Sequence, residues 1–141
     1  MRAFIDANLL IYLNTVREPS HQRLYRSFYE EITSRHRCFT NALVLDEVLY
    51  VSKRKYGFDY RDTAEMIHAQ VLPFVEVLPI GLQEYGRMTE ILQRGGFKPS
   101  DALHLSSMLL NGIDLIVSED AGFDAWSGIE RVWLTGSRRL G

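Results

Sequence analysis

A chain of 141 residues, 46% hydrophobic and 24% charged, is long enough for one compact domain with its own core and has an ordinary globular composition. A formal net charge of −2 argues against the strongly basic surface of a duplex-DNA binder but not against RNA binding, because acids clustered at a metal site would mask basic charge elsewhere in the sum. The single cysteine, Cys38, leaves no intrachain disulfide and suits a reducing cytoplasm, and the apolar run 9–13 is too short for a signal peptide or a membrane span, so a soluble, intracellular protein is expected.

The first predicted element is a short buried strand, Phe4-Ile5, which ends in Asp6 and turns at once into an apolar helix capped by Asp6-Ala7-Asn8. Glu18-Pro19-Ser20 breaks and restarts the chain. Leu24, Phe28 and Ile32 then recur at a spacing of four, widened by Tyr25 and Tyr29, which predicts an amphipathic helix with an aromatic face. That face either covers a sheet or takes a partner peptide or a second subunit. Arg37-Cys38-Phe39-Thr40 reads as a second strand, and Thr40 or Asn41 caps a helix over 42–56 that stops at Gly57. This helix is apolar nearly all round, so it should be largely buried. It carries two neighbouring acids, Asp46 and Glu47; helical neighbours point about 100° apart, so at most one can face a given site. Its basic end, Lys53-Arg54-Lys55, either complements the helix C-terminus or meets a phosphate.

Asp59 begins another helix, ended by Pro73, and 74–78 alternates as a strand does. A helix over 81–94 places Leu82, Tyr85, Met88 and Leu92 on one face, and Pro99-Ser100-Asp101 opens the next, terminated by Asn111-Gly112. Leu115-Ile116-Val117 is a second buried strand that runs into acids, Ser118-Glu119-Asp120. A turn through Phe123 and Trp126 leads to a last strand over 131–134, so that 1–135 forms one domain and 136–141 a tail. Strands alternating with helices predict an α/β fold with a parallel sheet covered on both faces, and leave the strand order open. In such sheets ligands bind beyond the carboxyl ends of the strands, where Asp6 and Asp120 could meet.

Four acids sit where acids are costly: Asp6 and Asp120 at the ends of buried strands, Glu47 within an apolar helix, and Asp101 in a first helical turn. Asp6 has a simpler role as a cap, Asp120 as a turn former and Asp101 as a dipole-compensating charge; Glu47 has none. A buried carboxylate without a partner costs several kcal/mol or takes up a proton. Carboxylates that converge raise one another's pKa until a cation binds. Hard oxygen ligands suit Mg²⁺ or Mn²⁺, whereas one cysteine and four scattered histidines offer no zinc set.

Phe4-Ile5-Asp6-Ala7-Asn8, Leu45-Asp46-Glu47-Val48-Leu49, Asp101-Ala102-Leu103-His104-Leu105 and Val117-Ser118-Glu119-Asp120-Ala121-Gly122-Phe123 together resemble the ordered motifs of the PIN domain. The resemblance spans the whole chain, whose length is similar to that of VapC-type toxins. It implies a three-layer αβα sandwich with a central, mainly parallel sheet, and a Mg²⁺- or Mn²⁺-dependent ribonuclease. It also implies that Asp6, Glu47, Asp101 and Asp120 form the catalytic metal site, which favours Glu47 over Asp46. Asn8 would orient the first acid and Ser118 support the last, with Asp124, or less so Glu119, adding a carboxylate at the rim. His104, three residues after Asp101, reads as a packed, hydrogen-bonded histidine. The expected chemistry is in-line attack of a water on a phosphodiester of single-stranded or looped RNA, leaving a 5′-phosphate and a 3′-hydroxyl. Arg17, Lys53, Arg54, Lys55, Arg138 and Arg139 are candidates for phosphate contacts. The implied partners are an antitoxin, seated on the aromatic face around Tyr25, Phe28 and Tyr29, and a second copy in a homodimer. The alternatives are a PIN fold that binds RNA or protein without cutting, and a housekeeping RNA-processing nuclease.

Overall fold

The computed structural model describes residues 1–134, so Arg138, Arg139 and the expected tail lie outside the described residues. Five strands, β1 (Arg2–Ile5), β2 (Arg37–Asn41), β3 (Val75–Leu78), β4 (Leu115–Val117) and β5 (Glu130–Val132), form one sheet in the order β3-β2-β1-β4-β5. Every pair is parallel. The helices are α1 (Ala7–Thr15), α2 (Pro19–Arg35), α3 (Ala42–Tyr56), α4 (Tyr60–Met66), α5 (Leu82–Arg94) and α6 (Pro99–Leu110). One π-helical turn, Ile67–Val71, extends α4, and a 3₁₀ turn, Ala121–Ala125, joins β4 to β5. The strand order reverses direction after β3, so right-handed crossovers set the helices before β3 and those after it on opposite faces, as a three-layer fold requires.

The central strand is apolar because it is covered on both faces. Ala3, Phe4 and Ile5 have no exposed surface, and Phe4, Ile5, Ile116 and Val117 centre a core completed by Leu9, Leu10, Phe28, Ile32, Val44 and Val48. A second, smaller core ties α5 to α6 through Ile91, Ala102 and Leu105. Among the described residues no helix is long and apolar enough to cross a membrane.

Caps fall where the local chemistry predicts. Asp6 accepts from the Ala7 amide (2.8 Å), Asn41 Oδ1 from the Val44 amide (3.0 Å), and Gly57 closes α3 at φ 75°. Three expectations about faces are corrected. Phe28 and Tyr29 are buried against the protein's own core: Phe28 meets Trp133 edge-on (5.6 Å between centroids) and Tyr29 donates to the Gln70 carbonyl (2.7 Å). Tyr25 packs on Tyr12 (4.9 Å), so most of the aromatic face is turned onto the protein itself, and Leu24 turns outward. Helix α3 buries only the stripe Val44, Val48 and Ser52, while Tyr50 is exposed. Helix α5 meets α6 along the side of Glu84 and Ile91, where Ser106 Oγ donates to the Glu84 carbonyl (2.7 Å). Tyr85, about 100° round the helix from Glu84, therefore points to solvent, as does Leu82 at 85% exposure.

Candidate active site

The carboxyl end of the sheet collects the acids because the chain leaves β1 and β4, neighbours in the sheet, at the same level. Ile5 is in register with Val117, and the Asp6 amide donates to the Val117 carbonyl (3.0 Å). Between β1 and β4 the direction of winding reverses, which opens a crevice at the strand ends.

Ser118 stitches the two strand ends together. Its Oγ donates to Asp6 Oδ2 (2.7 Å) and accepts from the Asp120 amide (3.0 Å), so one buried hydroxyl sets both the first acid and the backbone of the last. Asp6, only 7% exposed, thus has one oxygen on the Ala7 amide and the other on Ser118. Asn8 does not touch Asp6. Its Oδ1 accepts from the Glu119 amide (3.1 Å) and lies 3.3 Å from Ser118 Oγ, so it acts on the acid through the Ser118 loop. The orienting role that the resemblance implies for Asn8 would thus run through Ser118, because Asp6 is itself the cap of α1 and its carboxylate turns back on Ala7. Asp120 Oδ1 accepts from the Gly122 amide (2.8 Å), which fixes the head of the 3₁₀ turn.

The other two acids come from helices. Asp101 lies in the first turn of α6, and Glu47 is half-buried on α3 while its neighbour Asp46 is exposed. Burial, then the charge of Asp120, then that of Asp6, push the Asp101 carboxyl up to about 6, although Lys98 opposes them. Burial and the charges of Asp6 and Asp101 likewise raise Glu47, again against Lys98. These couplings mean that four side chains from four elements share one electrostatic field. Among the described residues no three His, Cys, Asp or Glu side chains stand close enough together to hold an ion as placed. The donor chemistry nevertheless fits a hard divalent cation: all-oxygen ligands, two of them with raised pKa values that a cation would relieve.

Asp124, expected at the rim, is gripped by Arg131 through two bonds (Nε to Oδ1 2.9 Å, Nη2 to Oδ2 3.1 Å), which hold its carboxyl below the usual range. Glu119 accepts from the Tyr12 hydroxyl (2.6 Å). Of the candidate phosphate contacts, Arg17 lies over the Phe58 ring (4.6 Å) and Lys53 over Tyr60 (5.2 Å).

Several residues escaped the sequence reading. Lys98 is the cation that opposes the raised pKa of both Asp101 and Glu47, and its place just before Pro99 and three residues before Asp101 was the available signal. Arg131 also donates to the Ser118 carbonyl (3.2 Å), bracing the loop that holds Asp120. Beneath Asp6, the Asn41 amide donates to His104 Nδ1 (3.1 Å). The Asn41 oxygen is already used by Val44, so the donor is its nitrogen, and His104 presents Nε2–H toward Asp6 Oδ1 at 4.0 Å. Burial lowers the His104 pKa against the pull of Asp6, which keeps the ring neutral.

A family model described as the PIN domain matches residues 3–128. The chain belongs to the PIN domain family. It is 28% identical to the ribonuclease VapC13 of Mycobacterium tuberculosis over 130 residues, covering 91% of this chain and 97% of that protein. Its fold is similar to that of M. tuberculosis VapC20, a sarcin–ricin-loop-cleaving toxin, with a TM-score of 0.69, 19% identity and coverage of 87% of this chain and 93% of the other. It is also similar to a chain of VapBC2 from Rickettsia felis, a complex bound to a DNA fragment from its promoter, with a TM-score of 0.68, 17% identity and coverage of 94% and 98%.

Proposed function

We propose that this chain is a divalent-cation-dependent endoribonuclease that cuts single-stranded or looped RNA, acting as the toxin of a toxin–antitoxin pair. The observation that carries the reading is the electrostatic convergence of Asp6, Glu47, Asp101 and Asp120 at the winding reversal between β1 and β4, with the Asp101 carboxyl pushed up to about 6. Acids that raise each other's pKa at a ligand-binding edge are suited to holding Mg²⁺ or Mn²⁺. Such an ion, when bound, supplies Lewis-acid polarisation of a phosphodiester and a water acidic enough to attack near neutral pH.

The chain's own residues do the positioning. Ser118 and the Ala7 amide fix both oxygens of Asp6, which removes the rotamer freedom it would otherwise lose on binding. Asn8 and Arg131 hold the Ser118–Asp120 loop from either side. Lys98 offsets part of the acids' charge and lets an RNA phosphate approach. Likeness to VapC ribonucleases and to a VapBC complex supports both the RNA substrate and an antitoxin partner, and a homodimer belongs to the same proposal. The partner would seat elsewhere than on Phe28 and Tyr29, which are buried.

A second reading is a PIN fold that binds RNA without cutting, favoured by the absence among the described residues of an already assembled ligand set. Cleavage of labelled single-stranded RNA by purified protein, with Mn²⁺ or with EDTA, separates the two. Cutting that needs Mn²⁺ and disappears in Asp101→Asn is expected. Well-folded, antitoxin-free protein that binds varied RNAs and cuts none would establish the second reading.

A further inference from the structure

A cleft of about 240 Å³ leads away from the acids between α1 and α3, and nothing in the cleavage reading accounts for it. Asn8 and Tyr12 line it from α1; Glu47, Val51, Lys55 and Tyr56 line it from α3. Two of these, Asn8 and Glu47, also belong to the candidate active site, so the cleft and the acids are continuous. Glu47, Val51 and Lys55 are spaced by four, which puts them on one face of α3 with the acid and the lysine about 12 Å apart along the helix. The face therefore runs from negative at the active site to positive at its far end.

The far end sets a cation beside an aromatic ring: Lys55 and Tyr56, which is 43% exposed, both line it. Outside the cleft lining but at the same end of α3, Lys53 sits over Tyr60 at 5.2 Å and Arg17 over Phe58 at 4.6 Å. Among the described residues no acid forms an ion pair with Lys55, Lys53 or Arg17. Tyr12 is held in place on the opposite wall by Glu119 and by the Tyr25 ring. A cleft that places an unpaired cation beside accessible rings suits single-stranded nucleic acid, whose backbone follows the charge while its bases stack on the rings. An apolar peptide would have no use for the lysine, and the acidic end of the cleft suits a phosphate that approaches through a bound cation.

We propose that this α1–α3 cleft is a subsite for single-stranded RNA, in which the nucleotide beside the scissile bond lies along α3 with its phosphate on Lys55 and its base against Tyr56. The proposal rests on the nuclease reading and specifies how the strand enters the site.

The test measures affinity and turnover separately, in the full chain. Affinity for a short fluorescent single-stranded RNA is measured in EDTA, where no cutting is expected, for wild type, Tyr56→Ala, Tyr56→Phe and Lys55→Ala. Cleavage with Mn²⁺ is followed in parallel. Tyr56→Ala should weaken binding about tenfold while Tyr56→Phe, which keeps the ring, stays close to wild type. Lys55→Ala should flatten the salt dependence of log affinity by about 0.7. In cleavage both alanine variants should raise KM with kcat held. Unchanged affinity and KM in variants of an actively cutting protein would overturn the subsite and leave the nuclease standing. Unchanged RNA affinity alongside weakened binding of the antitoxin would overturn it in favour of a protein-docking cleft. Wild-type protein that neither binds nor cuts RNA would overturn the nuclease reading as well.

Discussion

The acids on the outer surface and those at the carboxyl ends of β1 and β4 are held in opposite ways. Outside, several acids take an arginine: Glu76 on β3 meets Arg37 on β2 at 3.0 Å, Glu90 meets Arg87 at 2.7 Å, and Asp124 is held bidentately by Arg131. Four residues before Asp124, Asp120 instead faces Asp101; Lys98 works against the charge of Asp101 and Glu47, and Arg131, already spent on Asp124, reaches Asp120 only as a weaker influence. The contrast teaches that this chain pairs several surface acids closely with arginine, while at the sheet end the opposing cations offset the acids only in part. A protein that stores repulsion at one point leaves a place for a cation.

The sharpest way to break the comparison is to remove one charge from each group. Asp120→Asn or Asp101→Asn should lower single-turnover RNA cleavage by on the order of 10²–10³ or more, the scale seen when a preorganised charge is taken from a reaction centre. Asp124→Asn should stay within about twofold, since its charge is spent on Arg131. Equal losses from both would erase the distinction. Next comes the support. Ser118→Ala removes the donor to Asp6 and the acceptor for the Asp120 amide, and should weaken Mn²⁺ activation about 10–100-fold, read as a shift in the Mn²⁺ concentration giving half-maximal cleavage.

The pH dependence of stability gives a third, smaller effect. Asp101 titrates near 3.8 when unfolded and is pushed up to about 6 in the fold, so between about pH 4 and 6 the folded state binds a proton that the unfolded state does not. Its contribution is full below about pH 4 and is lost as pH rises through 6, and the raised Glu47 works in the same direction. Metal-free protein should therefore lose melting temperature over this window relative to Asp101→Asn, and Mg²⁺ or Mn²⁺ should restore it at neutral pH. A flat difference between the two proteins across pH 4–7 would mean that the acids do not share a field. The smallest effect belongs to the outer pairs: a double-mutant cycle on Arg37 and Glu76, both well exposed, should return about 0.2–1 kcal/mol.

Much of the strand-to-acid geometry is legible in the sequence because it is local. Asp6 caps the helix that follows its strand, Asn41 and Gly57 bracket α3, and Pro99 opens α6, each a matter of a few adjacent residues. What the sequence conceals is which element covers which face. The apolar residues of α3 suggested burial all round, but the core fully buries only one stripe; Leu45, Leu49 and Val51 are partly covered, Tyr50 is exposed, and Val51 and Tyr56 wall the cleft beside Glu47. Of the stripe Leu82, Tyr85, Met88 and Leu92, the last two pack on the Ile91 core, while Leu82 and Tyr85 face solvent because α6 approaches from the side of Ile91. Residues whose partners are distant were equally hidden: Asn41 meets His104 across 63 positions, and Arg131 reaches the Ser118 carbonyl from the next strand. Periodicity reports faces, and only the closed sheet reports neighbours.

The bond between Ser118 and Asp6 spans 112 positions and depends on β4 sliding in beside β1. A nascent chain emerges amino end first, so Asp6 and Glu47 leave the ribosome long before Asp101 and Asp120 exist to join them. Loop closure over that distance is also among the slowest steps a chain of this kind takes. The four-acid cluster is thus completed late, and until β4 docks the growing polypeptide has two acids without their counterparts. Stalled chains of increasing length should begin to cut RNA only once the segment through Asp120 has emerged, a built-in delay between synthesis and activity.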